Sequence, residues 1–167
     1  VIERPKADME FDCVVSVDAA SVERLGSRVG ECIAKRKLLV NIDHHPSNTR
    51  FGDLDWVAPH HPSTGELVYR LLRAARWPIT PRIADCLFTA VSTDTGSFQY
   101  PSTQPGTYHV AGELVRRGAN LTKICDEVYQ SYPLSRARLL RHVYNNFRLT
   151  HDNRIAYFWL RKSDFTR

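Results

Sequence analysis

The 167-residue sequence predicts an α/β fold, with a parallel sheet first and a helix-rich second half. Two β-branched runs, residues 12–18 and 38–43, flank a segment of helical spacing at 21–36. Strand, helix and strand in that order make a βαβ unit, and parallel neighbours need such a crossover. Beyond residue 60 the apolar residues recur three and four apart, which is the helical period.

The elements follow in order. Asp12–Asp18 and Leu38–Asp43 are strands that each end on a carboxylate, and Asp55–Ala58 reads as a short third strand. Ser63 followed by Glu66 is a capping-box pattern, and the stripe behind it is Leu67, Val68, Leu71, Leu72 and Ala75. Thr80 and Pro81 supply an N-cap and a first-turn proline, ahead of Ile83, Ala84, Leu87, Phe88 and Val91. A further helix follows Pro105, carries Val110, Ala111, Leu114 and Val115, and stops at Gly118. Asn120 can cap the next one. Residues 134–148 make a long amphipathic helix with Leu139, Leu140, Val143, Tyr144 and Phe147 on one face. The run 154–160 reads as a strand without a partner in this chain, the first of a further domain, with a boundary near Thr150–Asn153.

Composition narrows the class. Hydrophobic residues make up 43% and charged residues 25%, which fits a folded soluble chain and argues against disorder. No apolar run approaches the roughly 20 residues of a membrane span. No secretory leader is visible, and the start at Val1 with Met9 as the only methionine reads as a fragment or processed piece. The net charge of +5 suits an anionic substrate, and equally a merely solubilising surface. Cys13, Cys32, Cys86 and Cys125 show no C-x-x-C spacing. Three lie in apolar stretches, where a thiol behaves as a small buried hydrophobe. A reducing cytoplasm is the economical inference.

Chemistry concentrates where strands end, the place at which open α/β sheets bind ligands. Asp18 ends the first run, Asp43-His44-His45 end the second, and Asp94 stands in Ser92-Thr93-Asp94-Thr95-Gly96 after a predicted helix. Asp18 alone reads first as a helix cap. An acid and two imidazoles leaving one buried strand are harder to explain that way. Carboxylate and imidazole without cysteine suit Mn²⁺ or Mg²⁺ above Zn²⁺. Two metals would need more ligands than Asp18, His44 and Asp94 supply. Either one metal binds, or residues before Val1 complete the cluster.

Three motifs in order carry a resemblance. Asn41-Ile42-Asp43-His44-His45-Pro46 resembles the motif that names the DHH phosphoesterase superfamily. Ser16-Val17-Asp18 resembles its preceding aspartate motif, and Thr93-Asp94-Thr95-Gly96-Ser97-Phe98 the next one, in the form found in NrnA-like enzymes. Ser-Thr-Gly-Glu at 63–66 lies between them, and the likeness runs from about Cys13 to Phe147. It implies a Rossmann-like DHH core over 1–118, a helical linker over 119–150 and the start of a C-terminal DHH-associated domain over 151–167.

The implied activity is metal-dependent hydrolysis of short oligoribonucleotides, or of nucleotide phosphates such as phosphoadenosine phosphate, by metal-activated water. The implied cofactor is a pair of Mn²⁺ ions, with Mg²⁺ the alternative. Asp18 would bridge the metals, and His44 and Asp94 would hold the second. His45 would contact the scissile phosphate, and Asp43 would orient a histidine. The expected partners are short RNA or nucleotide substrates, with a homodimer left open and no membrane. The family's first motif, a histidine and two aspartates, has no counterpart here and is expected upstream of Val1, so the chain alone is expected to be inactive. Cyclic-dinucleotide hydrolysis, single-strand DNA exonuclease, inorganic pyrophosphatase and an inactive nucleotide-binding module are the alternatives.

Other residues have plainer readings. His60 and His61 read first as a solvated loop. Ser63, Thr64, Gly65 and Glu66 open a helix, and serve as a phosphate cradle or a simple cap. Arg136, Arg138, Arg141 and Arg148 could attract an RNA backbone, but a solvated face or contact with a further domain is preferred. Tyr100, Tyr129, Tyr132 and Trp159 could stack on bases, but packing is preferred. His109, His142 and His151 receive no role.

Overall fold

The computed structural model of the chain describes residues 9–26, 29–30, 33 and 36–165. The strands form where the β-branched residues stand. β1 (Phe11–Val17), β2 (Arg36–Asp43) and β3 (Leu54–Val57) make one sheet in the order β1-β2-β3. Both pairings are parallel, in register from Phe11↔Arg36 to Val17↔Ile42 and from Val40↔Leu54 to Asp43↔Val57. The central strand therefore delivers Asp43 between its two neighbours. The Asp18 amide adds one more ladder bond, donating to Ile42 O at 3.1 Å. Asp18 itself turns the chain with φ 60°, a left-handed conformation that short polar side chains tolerate best after glycine.

The expected helix over 21–36 begins as a short 3₁₀ turn, Val22–Leu25, ended by Gly26 at φ 82°. Gly26 breaks the helical period there. Residues 29, 30 and 33 are helical; the rest of that expectation lies outside the described residues.

α1 (Thr64–Ala74) starts on Ser63, whose Oγ accepts from Glu66 N at 3.1 Å. Only this half of the capping box forms, because the Glu66 carboxylate turns to His61 and Arg70 instead. The buried face of α1 is Thr64, Gly65, Glu66, Leu67 and Tyr69, whereas Leu71 is exposed. The helix thus packs through its first turns, and the predicted stripe runs outward beyond them.

α2 (Pro81–Asp94) is capped by the Thr80 hydroxyl and buries Ala84, Leu87, Phe88 and Val91, as the stripe predicts. It crosses α1 closely at Gly65, where an added Cβ would stand 2.7 Å from Ala90 Cβ. α3 (Pro105–Arg116) buries Val110, Ala111 and Leu114, with Val115 exposed. Gly118 follows it at φ 97°. Ile42, Ala58 and Leu67 form the core cluster under the sheet's carboxyl end. The fold class is therefore the predicted α/β one, with a three-stranded parallel sheet and helices packed on it.

The chain divides into two units, Val1–Leu121 and Thr122–Arg167. α4 (Leu121–Cys125) continues into a π-helical turn, Asp126–Gln130. The second unit then carries α5 (Leu134–Asn146), β4 (Arg148–Thr150) and β5 (Ile155–Tyr157). Here the expectation of an unpartnered strand over 154–160 is overturned. β5 pairs antiparallel with β4, from Arg148↔Tyr157 to Thr150↔Ile155. α5 ends at Asn146 rather than 148, so Arg148-Leu149-Thr150 is released to form the hairpin. Its turn uses left-handed His151, Asp152 and Asn153.

The apolar face of α5 is largely open, with Leu140, Tyr144 and Phe147 exposed. The cysteine expectation also changes. Cys13 and Cys86 are exposed and Cys125 is half-buried, while Cys32 lies outside the described residues. Among the described residues no helix is long and apolar enough to cross a membrane.

Candidate metal centre

Five side chains from three segments meet at the carboxyl end of the sheet. Asp18 follows β1, Asp43 ends β2, His44 and His45 follow it, and Asp94 is the last residue of α2. His44 Nε2 lies 3.6 Å from Asp18 Oδ1 and 3.7 Å from Asp94 Oδ2. His45 Nδ1 lies 2.8 Å from Asp43 Oδ1 and 3.9 Å from Asp18 Oδ1.

Hydrogen bonding fixes what each histidine offers. His44 Nδ1 faces the carbonyl oxygen of His61 at 3.3 Å. A carbonyl only accepts, so Nδ1 carries the proton and the neutral ring keeps its Nε2 lone pair. The two carboxylate oxygens stand from that lone pair at separations too long for hydrogen bonds. Oxygen and nitrogen ligands about 2.1 Å from one cation lie roughly 3.0–3.6 Å from each other. The His44–Asp18 separation stands at the upper end of that range, and the His44–Asp94 separation just beyond it. The ligand atoms of Asp18, His44 and His45 also lie within 4.8 Å of one another. His45 Nδ1, however, donates to Asp43 and in that form has no lone pair to give.

Asp43 is fully buried. It accepts from the His44 amide at 2.8 Å and His45 Nδ1 at 2.8 Å through Oδ1, and from Asn48 Nδ2 at 2.6 Å through Oδ2. Burial pushes its carboxyl upward, but those hydrogen bonds from Asn48, His45 and the His44 amide together hold it below the usual carboxylate range. Asp94 moves the other way. Burial first, then the neighbouring Asp18 charge, raise it, against the opposing pull of His44 and His45. Neighbouring carboxylates repel each other, and a nearby cation offsets that repulsion.

Several contributors carry no signal in the sequence. Asn48 is locked by Asn41, whose amide donates to Asn48 Oδ1 at 3.0 Å and to Asp55 Oδ1 at 2.7 Å. Asn48 Nδ2 also reaches Ala19 O at 3.1 Å, tying the loop after His45 to the turn after Asp18. The Thr64 hydroxyl donates to Asp18 Oδ1 at 2.8 Å, so the helix start grips a carboxylate side chain. His61, read first as solvated loop, is mostly buried and supplies the carbonyl under His44. The residues after Asp94 are held by Thr95, whose Oγ1 donates to Val91 O at 2.7 Å and accepts from Phe98 N at 3.1 Å.

The arginine candidates and all the aromatic ones but Tyr100 belong to the second unit. In the second unit the Arg136 guanidinium stands 3.8 Å over the Tyr132 ring. Arg138 and Arg141 line a cleft beside α5 with His142 and Asp164. Tyr132 and Trp159 are exposed there, and Tyr100 is exposed in the first unit.

Relatives with the same segment are known. The chain is 35% identical over 130 residues to the bifunctional oligoribonuclease and PAP phosphatase NrnA of Thermus thermophilus, covering 78% of this chain and 38% of that one. It is 28% identical over 148 residues to the protein of the same name from Bacillus subtilis, covering 87% and 46%. The crystal structure of an exopolyphosphatase-related protein from Bacteroides fragilis superposes with a TM-score of 0.81 at 30% identity, covering 92% of this chain and 46% of that one. This chain belongs to the DHH superfamily, among its NrnA-like members. It spans less than half the length of these relatives. No family model matches it. Within the DHH framework Asp43, His44 and His45 are the naming triplet, and Asp18 and Asp94 both stand near His44 Nε2.

Proposed function

We propose that this DHH chain carries a metal-holding part of a phosphoesterase that hydrolyses short oligoribonucleotides or nucleotide phosphates such as phosphoadenosine phosphate. The observation that carries the reading is His44. Its Nδ1–H is held by an acceptor-only carbonyl, and its Nε2 faces two carboxylate oxygens at 3.6 and 3.7 Å. The NrnA relatives, oligoribonucleases and PAP phosphatases by name, support the substrate class.

Asp18, His44 and Asp94 would hold a divalent cation, Mn²⁺ first and Mg²⁺ second, with Asp18 free to share a second ion. Bound cations would supply Lewis acidity, lowering the pKa of water and offsetting phosphate charge. The remaining steps belong to side chains. Asp43 fixes the His45 ring through Nδ1–H, which leaves Nε2 for a phosphate oxygen. His45 is one-third exposed, so substrate can reach it. Held in that orientation, Nε2 would meet the charge developing on the phosphate. Thr64 and Asn48 hold the two aspartates so that neither swings out of line.

The test assays the chain, alone and within its full open reading frame, against dinucleotides, phosphoadenosine phosphate, cyclic dinucleotides and pyrophosphate with Mn²⁺. Mn²⁺-dependent release of mononucleotides or phosphate from the first two, lost in a His44→Ala variant, is expected of the full reading frame. Turnover that survives His44→Ala would refute the reading.

A further inference from the structure

We infer that Glu66 is a positioning residue for the metal centre, acting through His61 to fix the tautomer of His44. The inference rests on the metal-holding reading above and names a residue that reading leaves without a role.

Glu66 is 2% exposed in the first turn of α1. Its Oε1 accepts from His61 Nδ1 at 3.1 Å, and from Arg70 Nε and Nη2 at 3.2 and 2.9 Å. Its Oε2 is buried without a hydrogen-bond partner. A buried carboxylate with one oxygen unsatisfied is unfavourable, so a purely local explanation must offset that. Capping does not, because Ser63 caps α1 through the Glu66 amide and needs nothing from its side chain. An acid in a first turn interacts well with the helix dipole, but the dipole does not require burial or an aim at His61.

His61 links this carboxylate to the centre. Its amide donates to Ala58 O at 3.0 Å, closing the turn at 58–61. Its ring is held by Glu66, and its carbonyl accepts from His44 Nδ1 at 3.3 Å. That last bond is already long. A small displacement of the carbonyl therefore breaks it, and His44 is then free to protonate at Nε2, the tautomer intrinsically preferred by imidazole. An Nε2–H ring has no lone pair facing Asp18 and Asp94. Outer partners of this kind set ligand orientation and tautomer in metal sites.

The test reads the tautomer directly, on the metal-free full chain, by ¹⁵N imidazole NMR. The wild-type His44 is expected as the Nδ1–H form, and Glu66→Ala is expected to shift it toward Nε2–H. Glu66→Gln keeps an acceptor for His61 and is expected to restore the wild-type form. Arg70→Ala removes only the outer partner of Glu66 and is expected to leave His44 unchanged. Where Glu66→Ala does not fold, His61→Phe removes the same link and carries the test. Mn²⁺ titration of the same proteins is expected to show roughly ten- to hundredfold weaker binding in Glu66→Ala or His61→Phe. An unchanged His44 tautomer in a folded Glu66→Ala or His61→Phe protein would overturn the inference. A wild-type chain with the Nδ1–H tautomer and no Mn²⁺ binding would instead refute the metal-holding reading.

Discussion

Replacing Asp43 by asparagine isolates one charge in a fully buried network. The asparagine Oδ1 can still accept from the His44 amide and His45 Nδ1, but its Nδ2 would face the Asn48 amide nitrogen, now 2.6 Å from Asp43 Oδ2. Two donors would then oppose each other. Asn48 cannot flip to relieve them, because its Oδ1 already accepts from Asn41 Nδ2 at 3.0 Å and Arg50 N at 2.7 Å. A hydrogen bond to a charged group contributes about 1.5–3 kcal/mol, so Asp43→Asn should destabilise the metal-free chain by about 2–3 kcal/mol at pH 7. With a urea slope of roughly 2 kcal/mol/M, the midpoint should fall by about 1 M. The pH dependence follows from the lowered Asp43 carboxyl. Its folded value lies below the ordinary 3.8, so its stabilisation is complete above that value. In acid the unfolded chain takes up the proton first, and the wild type loses the contribution as pH falls through the folded value. Urea unfolding at a series of pH values should therefore show the wild-type–variant gap narrowing below about pH 4. A gap that is absent at pH 7, or does not change in acid, would refute this account of the network.

Mn²⁺ should raise the melting temperature of the wild-type chain, and Asp18→Asn should abolish the rise in differential scanning fluorimetry. An unchanged rise would move the cation elsewhere. His45→Ala should leave the bound Mn²⁺ content near wild type while cutting phosphoesterase turnover of the full reading frame by about 10²–10³-fold, the scale of losing one transition-state donor. A large loss of metal would make His45 a ligand. Gly65→Ala should force α1 and α2 apart, since the new Cβ would stand 2.7 Å from Ala90 Cβ. Overpacking of this kind costs about 1–3 kcal/mol. Because α2 ends in Asp94, Mn²⁺ affinity should fall with the urea midpoint, and an unchanged affinity would detach helix spacing from the site.

The strands and helix starts were legible because local chemistry decides them. Short runs with β-branched residues mark β1 and β2, Thr80-Pro81 marks α2, and Ser63 marks α1. The rim position of Asp18, Asp43 and His44 follows from strand ends in a parallel sheet. What the residues did not announce depends on direction and distance. Glu66 three residues after Ser63 suggested a reciprocal cap, but burial beside His61 and Arg70 offered its carboxylate stronger donors. Asn48 reads as an ordinary turn residue until the fold sets its amide against Asp43. The β4–β5 hairpin was hidden because Arg148 falls within the helical stretch read over 134–148, whereas the antiparallel partner of Arg148-Leu149-Thr150 begins at Ile155. His61 acts through its backbone carbonyl, which no side-chain motif can reveal.

The left-handed backbone at Asp18 bears on how the protein tolerates change. Most residue types strain at φ 60°, and only glycine, asparagine and aspartate settle there readily. A saturation library at this position would score nearly every replacement as damaging, for reasons of chain geometry as well as lost anionic character. Glycine and asparagine would be the exceptions, folding well while lacking the carboxylate. Comparing abundance with function for those two alone would separate the demand for a shape from the demand for a charge.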